Sequence, residues 1–188
     1  MRKSKVRRET RESKVKVEVD LEGTGYDIKT DIPFFNHMLE SFAFHSGIKI
    51  NVEASGDLKH HIIEDVGIAL GEAIKKALGE KRGIRRFGSS IVPMDESVAL
   101  CGIDISGRGV FNFEGEIKGE VEGIEAELMI HFLESFCRVA GINVYVQVKG
   151  RNLHHMIEAM FKAVAMSFGD AIKIEGDEIR STKGLLGD

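Results

Sequence analysis

Cysteine is scarce in this sequence. Cys101 and Cys137 stand alone among 188 residues, each in an apolar stretch and without metal-type spacing. That excludes a disulfide framework and argues against a structural zinc knuckle; two buried free thiols in a reducing compartment are expected. Long apolar runs are also missing. No stretch approaches the ~20 apolar residues that cross a bilayer, and the charged N-terminus has no apolar segment behind it of the kind that marks a secretory signal. A cytoplasmic protein with no membrane partner is expected. Nor does one sign of charge dominate: 26 Lys and Arg against 30 Asp and Glu leave a net charge of −4, which gives no reason to expect a nucleic-acid partner. Basic residues do crowd the first 16 positions, and Arg2 to Lys5 read as a solubilising or frayed arm. With 43% hydrophobic and 30% charged residues, the composition is that of a globular domain rather than a disordered chain.

What the chain does have is histidine in a pattern. Six of its seven histidines form two triplets: His37, His60 and His61, with Glu64, recur 94 residues later as His131, His154 and His155, with Glu158. The flanks shift by the same amount, so that Leu39-Glu40-Ser41-Phe42 reappears as Leu133-Glu134-Ser135-Phe136. A repeat at fixed offset indicates two similar structural units. We expect one domain over residues 1–188, built from repeats of about 10–92 and 93–180. Pressure to form a core would repeat leucines; here imidazoles repeat.

Val15, Val17 and Val19 alternate with charged residues, the pattern of a strand with one buried face. Beyond Gly23-Thr24-Gly25, the alternation of Tyr26, Ile28, Thr30 and Ile32 suggests a hairpin partner. Spacings of three and four predict helices over 34–46 and 60–78, with a strand over 48–54 between them. In the second half, strands are expected over 97–105, 109–114 and 142–148, a charged glycine-rich loop over 115–123, and helices over 125–140 and 154–172. Each half reads strand, strand, helix, strand, helix. The fold class is α+β: two small sheets, each with helices on one face, packed back to back across a shared core.

On a helix, His60 and Glu64 share a face, as do His154 and Glu158, because residues four apart are neighbours. His61 and His155 lie about 100° further round. Adjacent histidines so placed serve two ions more easily than one. We therefore expect two metals, each held by a His and Glu of one helix, by the adjacent-pair histidine of the other half, and by His37 or His131. Imidazole with carboxylate suits manganese, iron, cobalt or zinc. A lone histidine would be read as a helix cap or a satisfied core residue, but a duplicated set of six with two matched glutamates is not. His45, whose repeat partner is Val139, falls outside the pseudo-symmetry and is either a core-edge residue or a one-sided substrate contact.

At these residues the chain resembles the imidazoleglycerol-phosphate dehydratase family. The matching segments are Phe34-Phe35-Asn36-His37-Met38-Leu39, His60-His61 through Glu64-Asp65-Val66-Gly67, Pro93-Met94-Asp95-Glu96, Ser106-Gly107-Arg108, Gly150-Arg151-Asn152 with His154-His155 and Glu158-Ala159, and Ser181-Thr182-Lys183-Gly184. Asn36, Lys59 and Ile130 depart from the acidic residues common at those positions, which bears on what orients the ligating imidazoles. Leu153 and Arg180 are unusual as well.

The resemblance implies a duplicated α+β fold and an enzyme of histidine biosynthesis that removes water from imidazole glycerol phosphate to give imidazole acetol phosphate. It implies two divalent ions per active site, Mn²⁺ first among them, bridged by the substrate imidazolate, with expulsion of hydroxide through a diazafulvene-like intermediate. It implies Glu12, in Thr10-Arg11-Glu12-Ser13, as general acid/base, and Glu96 as a residue that orients groups or assists proton transfer. For the phosphate it points to Arg86, Arg108, Ser181, Thr182 and Lys183, with Arg151 where lysine is common. The tail from Arg180 to Asp188 is expected to be flexible and to order over substrate. A homo-oligomer of 24 subunits, with metal sites at subunit contacts, is also implied. Two other classes compete on the residues alone. One is a dinuclear metal hydrolase, which would usually carry a bridging carboxylate. The other is a metal-storage protein, which would need no phosphate-binding set.

Overall fold

Alternating valines build the first sheet, and two long apolar-striped segments cover it. In the computed structural model, which describes residues 2–186, the first half runs β1 (Lys3–Glu9), β2 (Ser13–Asp20), β3 (Gly25–Lys29), α1 (Pro33–Ser46), β4 (Lys49–Gly56) and α2 (Lys59–Leu78). The second runs β5 (Phe87–Met94), β6 (Ser97–Asp104), β7 (Phe111–Glu114), a ribbon of β8 (Glu120–Val121) and β9 (Ile124–Glu125), then α3 (Glu127–Ala140), β10 (Asn143–Lys149) and α4 (Leu153–Ala171). The sheets have matching orders, β1-β2-β4-β3 and β5-β6-β10-β7. Helices α1 and α2 pack on the first sheet and α3 and α4 on the second, while α2 against α3 and α1 against α4 join the halves. The expected α+β class and its duplication are present.

The structure adds a strand at the front of each half. β1 pairs antiparallel with β2 along its whole length, Lys3 opposite Asp20 and Glu9 opposite Lys14, so Lys3 to Lys5 form sheet and not a frayed arm. Its inward positions are Ser4, Val6 and Arg8, and two of these are polar: Ser4 Oγ donates to the Ala73 carbonyl (2.7 Å) and Arg8 Nε to Asp65 (2.6 Å). A hydrophobic period of two was therefore hidden. β5 hides for a related reason. Its inward face carries Gly88 and Ser90, pressed against α4, where Ser90 Oγ donates to the Ala163 carbonyl, and its outward face carries exposed Phe87 and Ile91. The expected boundary at 92/93 runs through this strand.

The hairpin expected between β2 and β3 does not form. β4 lies between them, antiparallel to β2 and parallel to β3. A strand followed by a helix returns parallel in the same sheet, and α1 makes that crossover. The loop expected over 115–123 carries part of the β8–β9 ribbon. β5 starts 84 residues after β1 and β6 84 after β2, whereas α3, β10 and α4 start 94 after α1, β4 and α2. The repeat is thus a shorter unit, and the insertion around the ribbon produces the offset of the histidines.

The two outer sheet faces differ. The first is lined by charges such as Lys5, Arg7, Lys16 and Glu53, the second by exposed Phe87, Ile91, Val98, Leu100 and Tyr145. Between the sheets the helices approach closely. A Cβ on Gly71 would lie 2.7 Å from the Phe136 carbonyl oxygen and 3.0 Å from Val139 Cβ, and one on Gly67 would lie 3.0 Å from the Phe132 carbonyl oxygen. Gly71→Ala should therefore destabilise the protein by about 1–3 kcal/mol through overpacking. Gly102→Ala, whose Cβ would meet nothing within 4 Å, is the control. Denaturant midpoints that fall equally for both variants would contradict the tight α2–α3 contact.

Candidate active site

The close approach of α2 to α3 and of α1 to α4 brings histidines from opposite halves together. His131 on α3 faces His60 and Glu64 on α2: its Nε2 is 3.7 Å from Glu64 Oε1, and His60 Nε2 is 3.6 Å from Glu64 Oε2. His37 on α1 faces His154 and Glu158 on α4, with Nε2 atoms 3.7 and 3.3 Å from Glu158 Oε2. Within each trio the donor atoms lie within 4.8 Å of one another. These separations exceed hydrogen-bond lengths and suit ligands around one ion at roughly 2.1 Å. His131 Nε2 is buried and has no hydrogen-bond partner, a condition that costs about 1–3 kcal/mol and that a cation at the centre of the trio would relieve. The residues present therefore fit an imidazole–carboxylate metal.

The two trios are not electrostatically alike. Lys162 Nζ lies 2.9 Å from Glu158 Oε1, while the corresponding α2 residue is Ile68. Burial pushes the Glu158 carboxyl up, but Lys162, His37 and His154 together hold it below the usual range. His45 sits in the same neighbourhood: burial, then Lys162, push its pKa down, and Glu158 opposes them.

His61 and His155 do not join either trio within the chain, contrary to the expectation that each would complete the other half's pair. The helix turns them away from their neighbours. His61 Nδ1 lies 2.7 Å from Asp57 Oδ1, and its Nε2 lies 3.9 Å from Glu12 Oε2. The bond to Asp57 raises the His61 pKa and lowers that of Asp57. His155 Nδ1 lies 2.8 Å from Glu96 Oε2, and its Nε2 lies 3.5 Å from Asp95. Glu96 also accepts from Ser97 Oγ and from the Asn152 N–H, both at 3.0 Å. With His155 as the main cause, its carboxyl is pulled down to about 2. The 2.8 Å contact sets the carboxylate where it fixes the orientation of the His155 ring. Glu12, at the β1–β2 turn, keeps a largely exposed carboxylate. The next residue, Ser13, bonds buried Asp65, which also pairs with Arg8.

Arg86 and Arg108 converge on one carboxylate. Arg86 holds Asp104 with two bonds, 2.7 and 3.1 Å, and Arg108 Nη2 lies 3.7 Å from the same group. With Ser106, Gly107, Ser181, Thr182 and Lys183 they line one pocket, a set of donors suited to an oxyanion. Arg151 does not line it; it lies just before α4, at the His155 end. Along Arg180 to Leu186, Arg86 Nη1 donates to the Arg180 carbonyl (2.6 Å) and Lys81 Nζ to the Leu186 carbonyl (3.0 Å). The last two residues of the expected flexible tail lie outside those described. The Arg86 N–H donates to the carbonyl of Ala171, the last residue of α4. His154 is 17 residues earlier, so the pocket and the His37–His154–Glu158 trio sit about 25 Å apart along α4, at ~1.5 Å per residue.

The three departures noted in the sequence have structural work away from the trios. Asn36 bonds the Thr30 backbone at both its N–H and its carbonyl, Lys59 Nζ reaches the Gly123 carbonyl (2.7 Å), and Ile130 packs on the core. Sequence reasoning missed Asp57, Asp104, Lys162 and Glu122, whose carboxylate lies 3.4 Å from His154 Nδ1. Asp57 and Lys162 carried a usable signal, each four residues from a candidate ligand. Glu122 is 32 residues from His154 and carried none, and Asp104, four residues before Arg108, lies outside a helix, where that spacing implies no contact.

Known proteins are similar to this chain in sequence and in fold. The sequence profile described as "Imidazoleglycerol-phosphate dehydratase" matches residues 30–168. The imidazoleglycerol-phosphate dehydratase of Archaeoglobus fulgidus is 49% identical over 182 residues, 97% of this chain and 98% of that one. The histidine biosynthesis bifunctional protein HisB of Stenotrophomonas maltophilia is 47% identical over 186 residues, and there the match spans 96% of this chain and 52% of the relative. Among solved structures, the enzyme from Pyrococcus furiosus, in complex with (S)-C348, superposes with a TM-score of 0.85 at 37% identity over 96% of this chain and 100% of that one. The Staphylococcus aureus enzyme gives 0.85 at 32% identity, over 92% and 99%. The chain belongs to the imidazoleglycerol-phosphate dehydratase family.

Proposed function

We propose that this protein dehydrates imidazole glycerol phosphate to imidazole acetol phosphate in histidine biosynthesis, as a metal-dependent hydro-lyase. The observation that carries the metal dependence is His131 Nε2, a buried nitrogen aimed at a carboxylate and an imidazole it does not bond. His37, His154 and Glu158 would hold one divalent ion and His60, Glu64 and His131 the other, with Mn²⁺ suited to both. When bound, the ions act as Lewis acids toward the substrate's ring nitrogens and spread the charge that develops there. Glu12 takes the carbon-bound proton, since its carboxylate is free while Glu96 is engaged. Arg86, Arg108, Ser181, Thr182 and Lys183 fix the phosphate, and His45 with Lys162 supplies a polar wall beside Glu158. Two buried, unpaired cysteines fit a cytoplasmic location.

A three-carbon phosphate ester with one imidazole cannot span the ~25 Å between the His37–His154–Glu158 trio and the pocket along α4. The working site is therefore assembled between copies of the chain: the pocket of one faces the trios of another, and His61 and His155 complete the metal sites of neighbours. The apolar outer face of the second sheet supports such self-association, and a shell of 24 copies is the assembly we favour. Among the described residues no helix is long and apolar enough to cross a membrane.

His37→Ala and His131→Ala should each lose roughly one of two bound Mn²⁺ per chain and nearly all dehydration; unchanged metal content in both variants by atomic absorption would sink the two-trio assignment. Arg108→Ala should raise KM for imidazole glycerol phosphate about tenfold or more, the loss of one charge-assisted contact, with kcat less affected. Assayed well below the raised KM, co-assembled Arg108→Ala and His131→Ala chains should turn over faster than the sum of the two alone. If the mixture is no better than its parts, the site is not shared between copies.

A further inference from the structure

The duplication places a glutamate and a histidine side by side in each half and wires them differently. Glu12 corresponds to Glu96 across the 84-residue offset of the leading strands, and His61 and Asp57 correspond to His155 and Arg151 across the 94-residue offset that follows the insertion. In the second half Glu96 itself holds the ring, accepting from His155 Nδ1 at 2.8 Å, and its other oxygen takes Ser97 and Asn152. Arg151 stands where Asp57 stands in the first half, and a guanidinium cannot accept a proton from an imidazole.

In the first half the carboxylate comes from the other side. Asp57 Oδ1 lies 2.7 Å from His61 Nδ1, while the Asp57 backbone N–H donates to the Glu12 carbonyl oxygen at 3.0 Å. One residue thus fixes the histidine by its side chain and the glutamate by its backbone. Gly56, just before it, allows this approach, because a Cβ there would lie 2.7 Å from the Glu12 carbonyl oxygen. Helix capping does not account for Asp57: α2 starts after Leu58 and has no side-chain cap, and of the backbone N–H groups the Asp57 carboxylate accepts from that of Leu58, ahead of the helix. A carboxylate that accepts from Nδ1–H selects the tautomer whose Nε2 lone pair is free to bind a metal.

We propose that Asp57 is the positioning residue of the first half: it holds His61 with Nε2 presented as a ligand and thereby leaves Glu12 free for proton transfer, the freedom that its duplicate Glu96 lost to His155. The role of Glu12 rests on the dehydratase reading; the role of Asp57 toward His61 does not.

Long-range proton–nitrogen spectra of the full-length chain, labelled at histidine, read the tautomer directly, and Mn²⁺ affinity reads its consequence. In Asp57→Ala, His61 should lose its fixed Nδ1–H form and Mn²⁺ affinity should fall about 10–100-fold. Asp57→Asn, which keeps the backbone contacts and a neutral acceptor, should show a smaller loss in the same direction and is read alone if the alanine chain does not fold. Glu96→Ala should cost a similar factor through His155, and adding Arg151→Asp to it should recover most of that loss by rewiring the second half like the first. A His61 that keeps its tautomer and wild-type Mn²⁺ affinity without Asp57 overturns the proposal, as does a double variant no better than Glu96→Ala. If the Asp57 variants lose tautomer and affinity as expected while wild-type protein does not dehydrate imidazole glycerol phosphate, the dehydratase reading is refuted instead.

Discussion

The contact of α2 on α3, backbone nearly against backbone at Gly67 and Gly71, is the constraint on which the candidate site depends. It sets His131 over His60 with the rings stacked at 5.0 Å and within reach of Glu64. The matching contact of α1 on α4 sets His37 against His154 and Glu158. Neither half holds a full trio by itself. The shared apolar core, including Phe35 on Phe132 and Phe42 on Phe136 and Phe168, therefore holds two chains' worth of repeat together and also builds the metal-type donor sets. Core packing and chemistry are coupled in the same four helices.

Symmetry supplies the two trios, and departures from it supply the differences between them. Lys162 neutralises part of one trio's charge and has Ile68 as its counterpart in the other. Glu96 is saturated by hydrogen bonds while Glu12 stays open. Asp104 draws together two arginines at the far end of α4. The proposed function divides the tasks accordingly: donor placement in both halves, proton transfer in one, and phosphate recognition in the other.

Much of this was legible in the residues. The spacing His-His-x-x-Glu on an amphipathic helix predicts which histidine shares a face with the glutamate, and His60–Glu64 and His154–Glu158 meet as expected. Helix limits were within two residues, because Gly47 and Gly141 stop α1 and α3 in the left-handed region. β1 and β5 were not legible, since their inward faces carry Ser4, Arg8, Gly88 and Ser90, chosen for a buried ion pair or a close helix rather than for hydrophobicity. The pairing of β3 with β4 is a matter of topology, which local alternation does not encode. That the helix turns His61 and His155 away from the His–Glu face was legible, but the sequence could not say that they also stand apart from the other half's trio. The partners of Glu96 and Arg86 needed the third dimension for the same reason.

The central claim is that these donors make a metal-dependent dehydratase. Its most direct test is turnover of imidazole glycerol phosphate by chelator-stripped wild-type protein, before and after Mn²⁺ is added. The account predicts no product without metal and sustained formation of imidazole acetol phosphate with it. Folded protein that binds Mn²⁺ and still forms no product, with that or any other divalent ion, would contradict it.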